Sequence, residues 1–318
     1  MSAYIVHRFT GEDAVSRMDS ADEWKKYINS HKVAFTWGTQ GPDTLFNDGK
    51  FLRLSDKRGE IGVYGGYMHR EKTEELFHRL AEFLTEKKNS PEFPALAAFA
   101  CGFVSHYCVD RRIHAYVYCK MRQYAGIVKT FKPNGVHMKL ETDMDSAFYT
   151  ERTGENVCSF QVEPEMKTAA EDIEAAEAVL LDLIEKVYDR KFPAGIVVKG
   201  IEYFYDKENF LFDEAGIRSK LFCRLKEIVH GEKGSYMLYC RPEKVSYDVL
   251  NLSHAAWVDP LEPEKVTKAS VMDLLDAAAD DTVEFIAELK HCVESGIPFV
   301  REGMGSFDSG SDTSAKPY

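Results

Sequence analysis

Between residues 71 and 88, Leu76, Phe77, Leu80, Phe83 and Leu84 recur at helical spacing while Glu and Lys fill most other positions. That spacing puts the apolar side chains on one stripe and predicts an amphipathic helix. Pro94 opens a second, more apolar segment that reads as a buried helix through Ala100 to at least Asp110. Proline suits a first helical turn, where its missing N–H costs no bond. Residues 152–164 hold Gly154 and two turn-like clusters and form a candidate boundary. Beyond it, Thr168-Ala-Ala-Glu171 has the pattern of a capping box and leads into an Ala/Leu/Glu-rich helix ending near Arg190. Further helices are expected over residues 213–230 and 270–295, whereas residues 195–205 read as a short strand or an extended loop. The polar, Gly/Ser-rich residues 302–318 are expected to be disordered. The pattern predicts a mainly α fold divided into residues 1–150, a helical companion region 151–301 and the tail 302–318.

Composition narrows the classes. The chain has 318 residues, 44% hydrophobic and 29% charged, enough for a sizeable core. The longest apolar stretch, residues 93–104, is interrupted by Pro94 and Gly102. It falls short of the roughly 20 residues a membrane span needs, so no transmembrane segment is expected. The amino terminus lacks a basic region followed by an apolar one, which points to a cytoplasmic protein. Seven Cys without a CxxC pair read as reduced packing residues. Net charge is −12, unevenly spread: residues 1–150 carry 21 Lys/Arg and 19 Asp/Glu, the remainder 19 and 33. Stable nucleic-acid binding is therefore not expected.

The chemistry concentrates in the first half. A step of four residues turns a helix by about 400°, so side chains at i, i+4 and i+8 stay on one stripe. If its segment remains helical, His106-Tyr-Cys-Val-Asp110-Arg-Arg-Ile-His114 places His106, Asp110 and His114 together. His137 and Glu141 repeat the spacing. Burying two imidazoles and a carboxylate without partners is costly, and imidazole with carboxylate on adjacent turns is a common zinc site. His69 lies just before the amphipathic helix, and Asp43 follows the turn-forming Gly41-Pro42. Taken alone, His7 is more often a core residue than a ligand. His31 and His78 read as ordinary polar positions, and His254, in Asn251-Leu-Ser-His-Ala-Ala-Trp257, as a packing residue.

The ordered set His7, Gln40-Gly-Pro-Asp43, Met68-His69, His106-Tyr-x-x-Asp110-x-x-x-His114 and His137-x-x-x-Glu141 resembles the bacterial zinc-dependent phospholipase C family. The likeness covers about residues 1–145 and extends more weakly through residues 251–257, with an intracellular branch suggested by the amino terminus. It implies an all-α fold, shared with single-strand-specific zinc nucleases, in which a cluster of up to three zinc ions hydrolyses a phosphodiester. Two features depart from secreted members, which use a processed amino-terminal Trp as ligand and separate the Asp and the following His by five residues. Here Asp110 and His114 are separated by three. Eight candidate ligands, His7, Asp43, His69, His106, Asp110, His114, His137 and Glu141, suit two or three zinc ions. Asp110 is the expected bridge, and a water between metals the expected attacker on phosphorus. Asp43 is either a ligand or the catalytic base. Arg111, Arg112, Lys120 and Arg122 are candidates to hold the rest of a phospholipid head group or other phosphodiester. The alternatives are a nuclease-like phosphodiesterase and a non-catalytic metal-stabilised helical protein.

Overall fold

A computed structural model describes residues 4–47, 59–123, 136–210, 244–260 and 262–308, with the backbone of residues 124–125, 133–135 and 211 and isolated positions between 217 and 241. In chain order it contains α1 (Tyr4–Arg17), α2 (Glu23–Ser30), α3 (Lys32–Gln40), a 3-10 helix (Gly41–Phe46), α4 (Glu60–Arg70), α5 (Thr73–Lys87), α6 (Phe93–Ala125) and α7 (Pro133–Thr153). Then follow α8 (Glu165–Thr168), α9 (Ala170–Tyr188), α10 (Ile196–Leu211) and α11 (Val271–Ser295). Among the described residues the sheet content is one antiparallel ribbon, β1 (Trp257–Val258) paired with β2 (Val266–Thr267). The mainly α expectation holds.

The apolar segment opened by Pro94 is a single helix of 33 residues, about 50 Å long at ~1.5 Å per residue. Within Phe93–Gln123, an 18-residue window of mean hydropathy 1.2 is apolar enough to cross a membrane, but 94% of that window is buried inside the protein. The interruptions noted in the sequence do not end α6. Pro94 sits in its first turn, and Gly102 marks the crossing with α3. A Cβ on Gly102 would stand 2.1 Å from the Phe35 carbonyl oxygen, and one on Gly38 would stand 2.2 Å from that of Phe99. Only two glycines allow this approach, which sets the α3 backbone directly on α6.

The expected stripe of α5 is buried as read, Leu76, Phe77, Leu80 and Leu84 completely. The last long helix matches its expected bounds because both ends are capped. Ser270 and Asp273 form a capping box, and Gly296 ends the helix in the left-handed region at φ 67. This α11 packs along α6 and α1, and one core cluster runs from Tyr4 to Phe307.

Three expectations need correction. Residues 195–205 are neither strand nor extended loop: Gly195 ends a turn and residues 196–205 belong to α10. Val197, Ile201 and Phe204 are buried at helical spacing, and the Glu177 carboxylate accepts hydrogen bonds from the backbone N–H groups of Gly195 and Val197 at 2.9 and 3.0 Å. That cap comes from α9 and leaves no local signature. The Thr168–Glu171 capping box does not form, since the Thr168 hydroxyl donates to the Pro164 carbonyl and α9 starts behind Ala169. Residues 302–308 are not a disordered tail, because Met304 and Phe307 are buried in the core. The expected helix over residues 213–230 falls mostly outside the described residues, as do residues 309–318.

Candidate metal centre

The α3–α6 crossing brings the end of α3 against the middle of α6, and the Thr39 carbonyl there accepts a hydrogen bond from His106 Nδ1 at 3.0 Å. The chain turns at once through Gly41, at φ 47, where a Cβ would press on the His106 ring at 2.9 Å. The 3-10 helix that follows buries Asp43. His69, in the last turn of α4, donates from Nδ1 to the Gly65 carbonyl one turn earlier at 2.6 Å. His114, one turn beyond Asp110 on α6, donates from Nδ1 to the Phe307 carbonyl at 2.8 Å. In each neutral ring the proton therefore resides on Nδ1, and Nε2 turns its lone pair inward.

All eight sequence candidates converge. Asp110 occupies the middle: Oδ1 lies 3.2 Å from His7 Nε2 and 3.9 Å from His114 Nε2, while Oδ2 lies 3.3 Å from His106 Nε2 and 3.5 Å from His69 Nε2. Asp43 Oδ1 is 3.3 Å from His69 Nε2. On the other side Glu141 Oε1 is 2.8 Å from His137 Nε2, its i−4 neighbour on α7, and 3.7 Å from His114 Nε2. Two sets of donor atoms are close enough to share an ion: Asp43, His69 and His106, and His114, His137 and Glu141.

The donor set fits a cation. His69 and His106 each spend their Nδ1 proton on a carbonyl, yet their Nε2 atoms approach to 3.3 Å with carboxylate oxygens beside them. Lone pairs packed so closely repel unless a positive charge lies among them. His7 Nδ1 and Glu141 Oε2 are buried without a hydrogen-bond partner. The electrostatics agree. Burial disfavours charge, but the surrounding imidazoles hold Asp43, Asp110 and Glu141 below the ordinary carboxylate range. Against the same burial, Asp43 and Asp110 push His69 up to about 9, and Asp110 and Glu141 push His114 up to about 10. Burial and the neighbouring His106 push His7 down.

Sequence reasoning missed the walls. Phe46 stacks on His69 at 5.7 Å, and Tyr118 stacks on His114 at 5.6 Å. Phe307 approaches His69 at 5.6 Å and His106 at 5.9 Å between ring centroids. Its one sequence signal is an aromatic residue within an otherwise polar run. Behind Asp43, Lys207 donates to Asn47 Oδ1 at 3.1 Å and pairs with Glu208 at 3.5 Å. Glu208 is joined to Arg241 at 2.9 Å, and Arg241 to Asp145 at 3.3 Å. Asp145 in turn accepts from the Val6 N–H at 3.0 Å, which fixes the start of α1 one residue before His7.

The remaining candidates are engaged elsewhere. Arg112 pairs with Asp281 of α11 at 2.6 Å, and Lys120 lies over the Tyr116 ring. Arg111 is half-buried and Arg122 exposed. His31 pairs with Asp172 at 2.7 Å and His78 with Glu82 at 3.2 Å, while His254, expected to pack, is exposed instead and bonds the Lys268 carbonyl. Cys101, Cys108, Cys119 and Cys292 are free and buried, while Cys223 and Cys240 lie outside the described residues.

A helical protein with a buried cluster of imidazoles and carboxylates around one central aspartate belongs to the class of helical metalloproteins. Residues 6–190 match the zinc-dependent phospholipase C family, and the chain is a member of it. The match runs past the expected boundary at residue 150 and through α9. Neither a curated protein nor a solved structure matches the chain.

Proposed function

We propose that this chain is a phosphodiester hydrolase that holds two zinc ions and acts on a phospholipid or another phosphodiester. One observation carries the reading: eight buried or half-buried donors converge with lone pairs inward and with Asp110 turning one oxygen to each side. Asp43, His69, His106 and Asp110 Oδ2 would hold one ion, and His114, His137, Glu141 and Asp110 Oδ1 the other. His7, beside Asp110 Oδ1, belongs to the same cluster and supplies one side of a third position. Asp43 is assigned as a ligand rather than the base, because it is buried and shares its donor set with His69 and His106.

Zinc in such a site supplies Lewis acidity, drawing charge from a phosphoryl group and making water acidic near neutral pH. The chain's own residues do the rest. The carbonyls of Thr39, Gly65 and Phe307 keep the imidazole lone pairs aimed inward. Phe46, Tyr118 and Phe307 limit water around the ligands. The three carboxylates of the cluster carry three negative charges against four positive charges on two zinc ions. The surplus of one matches the single charge of a phosphodiester.

Elemental analysis should find about two zinc ions per chain, and Asp43→Asn should lose one of them together with activity. Loss of turnover with full metal content would return Asp43 to the role of base, an effect of roughly 10²–10⁴-fold. A panel of choline-type phospholipids, aryl phosphodiesters and single-stranded nucleic acid distinguishes the substrate classes. Cleavage of none by fully loaded protein would leave a metal-stabilised scaffold.

A further inference from the structure

We infer that residues 304–308, at the far end of the chain from the ligands, are a working part of the metal centre, with Phe307 as a positioning residue for His114 and His69. The inference rests on the zinc-site reading above. Three hydrogen bonds tie this strap to the site. His114 Nδ1 donates to the Phe307 carbonyl at 2.8 Å, the Asp308 N–H donates to the His69 carbonyl at 3.0 Å, and the Tyr107 hydroxyl donates to the Gly305 carbonyl at 3.1 Å. One ligand from each donor set is thus bonded to the same short segment, and Tyr107 is the residue after a third ligand.

The Phe307 side chain explains why the strap stays in place. It is fully buried, and its ring lies against Tyr107 at 4.8 Å and Phe103 at 5.9 Å as well as against the two imidazoles. The side chain therefore anchors its own carbonyl, and that carbonyl decides which nitrogen of His114 carries the proton. His69 and His106 take their acceptors from α4 and α3, within or beside their own helices. His114 takes its acceptor from 193 residues downstream. A plug that only fills the core would be indifferent to where its carbonyl points. Here the carbonyl meets a ligand nitrogen, and the next N–H meets the backbone of another ligand.

The test uses full-length protein loaded with cobalt(II), whose visible spectrum reports ligand geometry and whose affinity is read by competition with a chelator. Melting of the metal-free protein is followed in parallel. Phe307→Ala should weaken cobalt binding by about 10–100-fold, the usual effect of losing a partner that orients a ligand, and should shift the visible bands. Phe307→Leu should restore most of both. Asp308→Pro removes the N–H that holds His69 without excavating the core, and should weaken cobalt binding in the same direction. Asp308→Asn keeps that N–H and should weaken cobalt binding much less than Asp308→Pro. Should Phe307→Ala fail to fold, the two Asp308 variants decide alone. The inference is overturned if Phe307→Ala and Asp308→Pro lower melting while cobalt affinity and spectrum stay unchanged. It is also overturned if Asp308→Asn loses as much affinity as Asp308→Pro, since charge rather than the hydrogen bond would then matter. Wild-type protein that binds no cobalt would overturn the zinc-site reading itself, a different outcome from a strap that does not matter.

Discussion

The two donor sets are held in different ways. Asp43, His69 and His106 come from three separate elements, are all buried, and have both imidazoles pinned by helix backbone carbonyls. His114, His137 and Glu141 come from α6 and α7, and His137 has a side chain 20% exposed whose recorded polar partner is Glu141 of its own helix. The first set is rigid because the core fixes the backbone around it. The second depends on how α7 and the strap lie against α6. Affinity should accordingly be higher and less adjustable in the first set, as expected when a packed shell pre-orients ligands.

Asp110→Asn should produce the largest effect, because Asp110 is, among the described residues, the side chain with an oxygen towards each set. Hydrolysis should fall to background and bound zinc below one equivalent, measured by phosphodiester assay and elemental analysis. Retention of two equivalents would show that the sets are independent. Next come the single-set variants. His106→Ala should strip the first zinc and loosen the second, since His106 Nε2 also lies 3.3 Å from Asp110, which faces both sets. His137→Ala should cost only the second equivalent, and equal losses in the two variants would erase the distinction drawn here.

A smaller effect is expected from pH. In metal-free protein His69 and His114 are raised above their ordinary value of 6.5, to about 9 and about 10. Their protonation stabilises the metal-free fold fully below about pH 6.5, and this contribution is lost as pH rises through 9 to 10. The melting temperature of metal-free protein should fall across that window, and that of zinc-loaded protein should change much less. Zinc must displace the same protons, so its affinity should drop as pH falls below about 10, and more steeply below about 9, which titration calorimetry can follow. The smallest effect is expected at His78→Ala, within about 0.5 kcal/mol in stability and without change in zinc content, because His78 pairs with Glu82 and the Phe299 carbonyl, outside the cluster.

What was legible in the sequence was what repeats at helical spacing. The stripe on α5, the placement of His106, Asp110 and His114 one turn apart on α6, and the His137–Glu141 pair all follow from a period near 3.6. His7, Asp43 and His69 have no periodic relation to these residues, and only their order in a family pattern grouped them with the rest. The strand reading of residues 195–205 failed because three β-branched residues begin a helix whose cap, Glu177, is supplied by another helix. The strap was illegible for a related reason. Its composition is that of a loose tail, and its function resides in backbone carbonyl and N–H groups that every residue except proline possesses. Composition reports on side chains, whereas this part of the site is made of main chain.

The contact between Gly38 and Gly102 lies beside the centre and contributes no atom to it. The α3 backbone that rests there carries the Thr39 carbonyl near its end and leads through Gly41 and Pro42 to Asp43. Any side chain at either glycine would have to lift α3 off α6, moving an acceptor and a ligand together. In a scan of every substitution scored by zinc content, these two positions should therefore group with the histidines, intolerant even of alanine. A map of zinc dependence would trace a helix crossing as well as a coordination sphere, and a methyl group there would act as a chelator does.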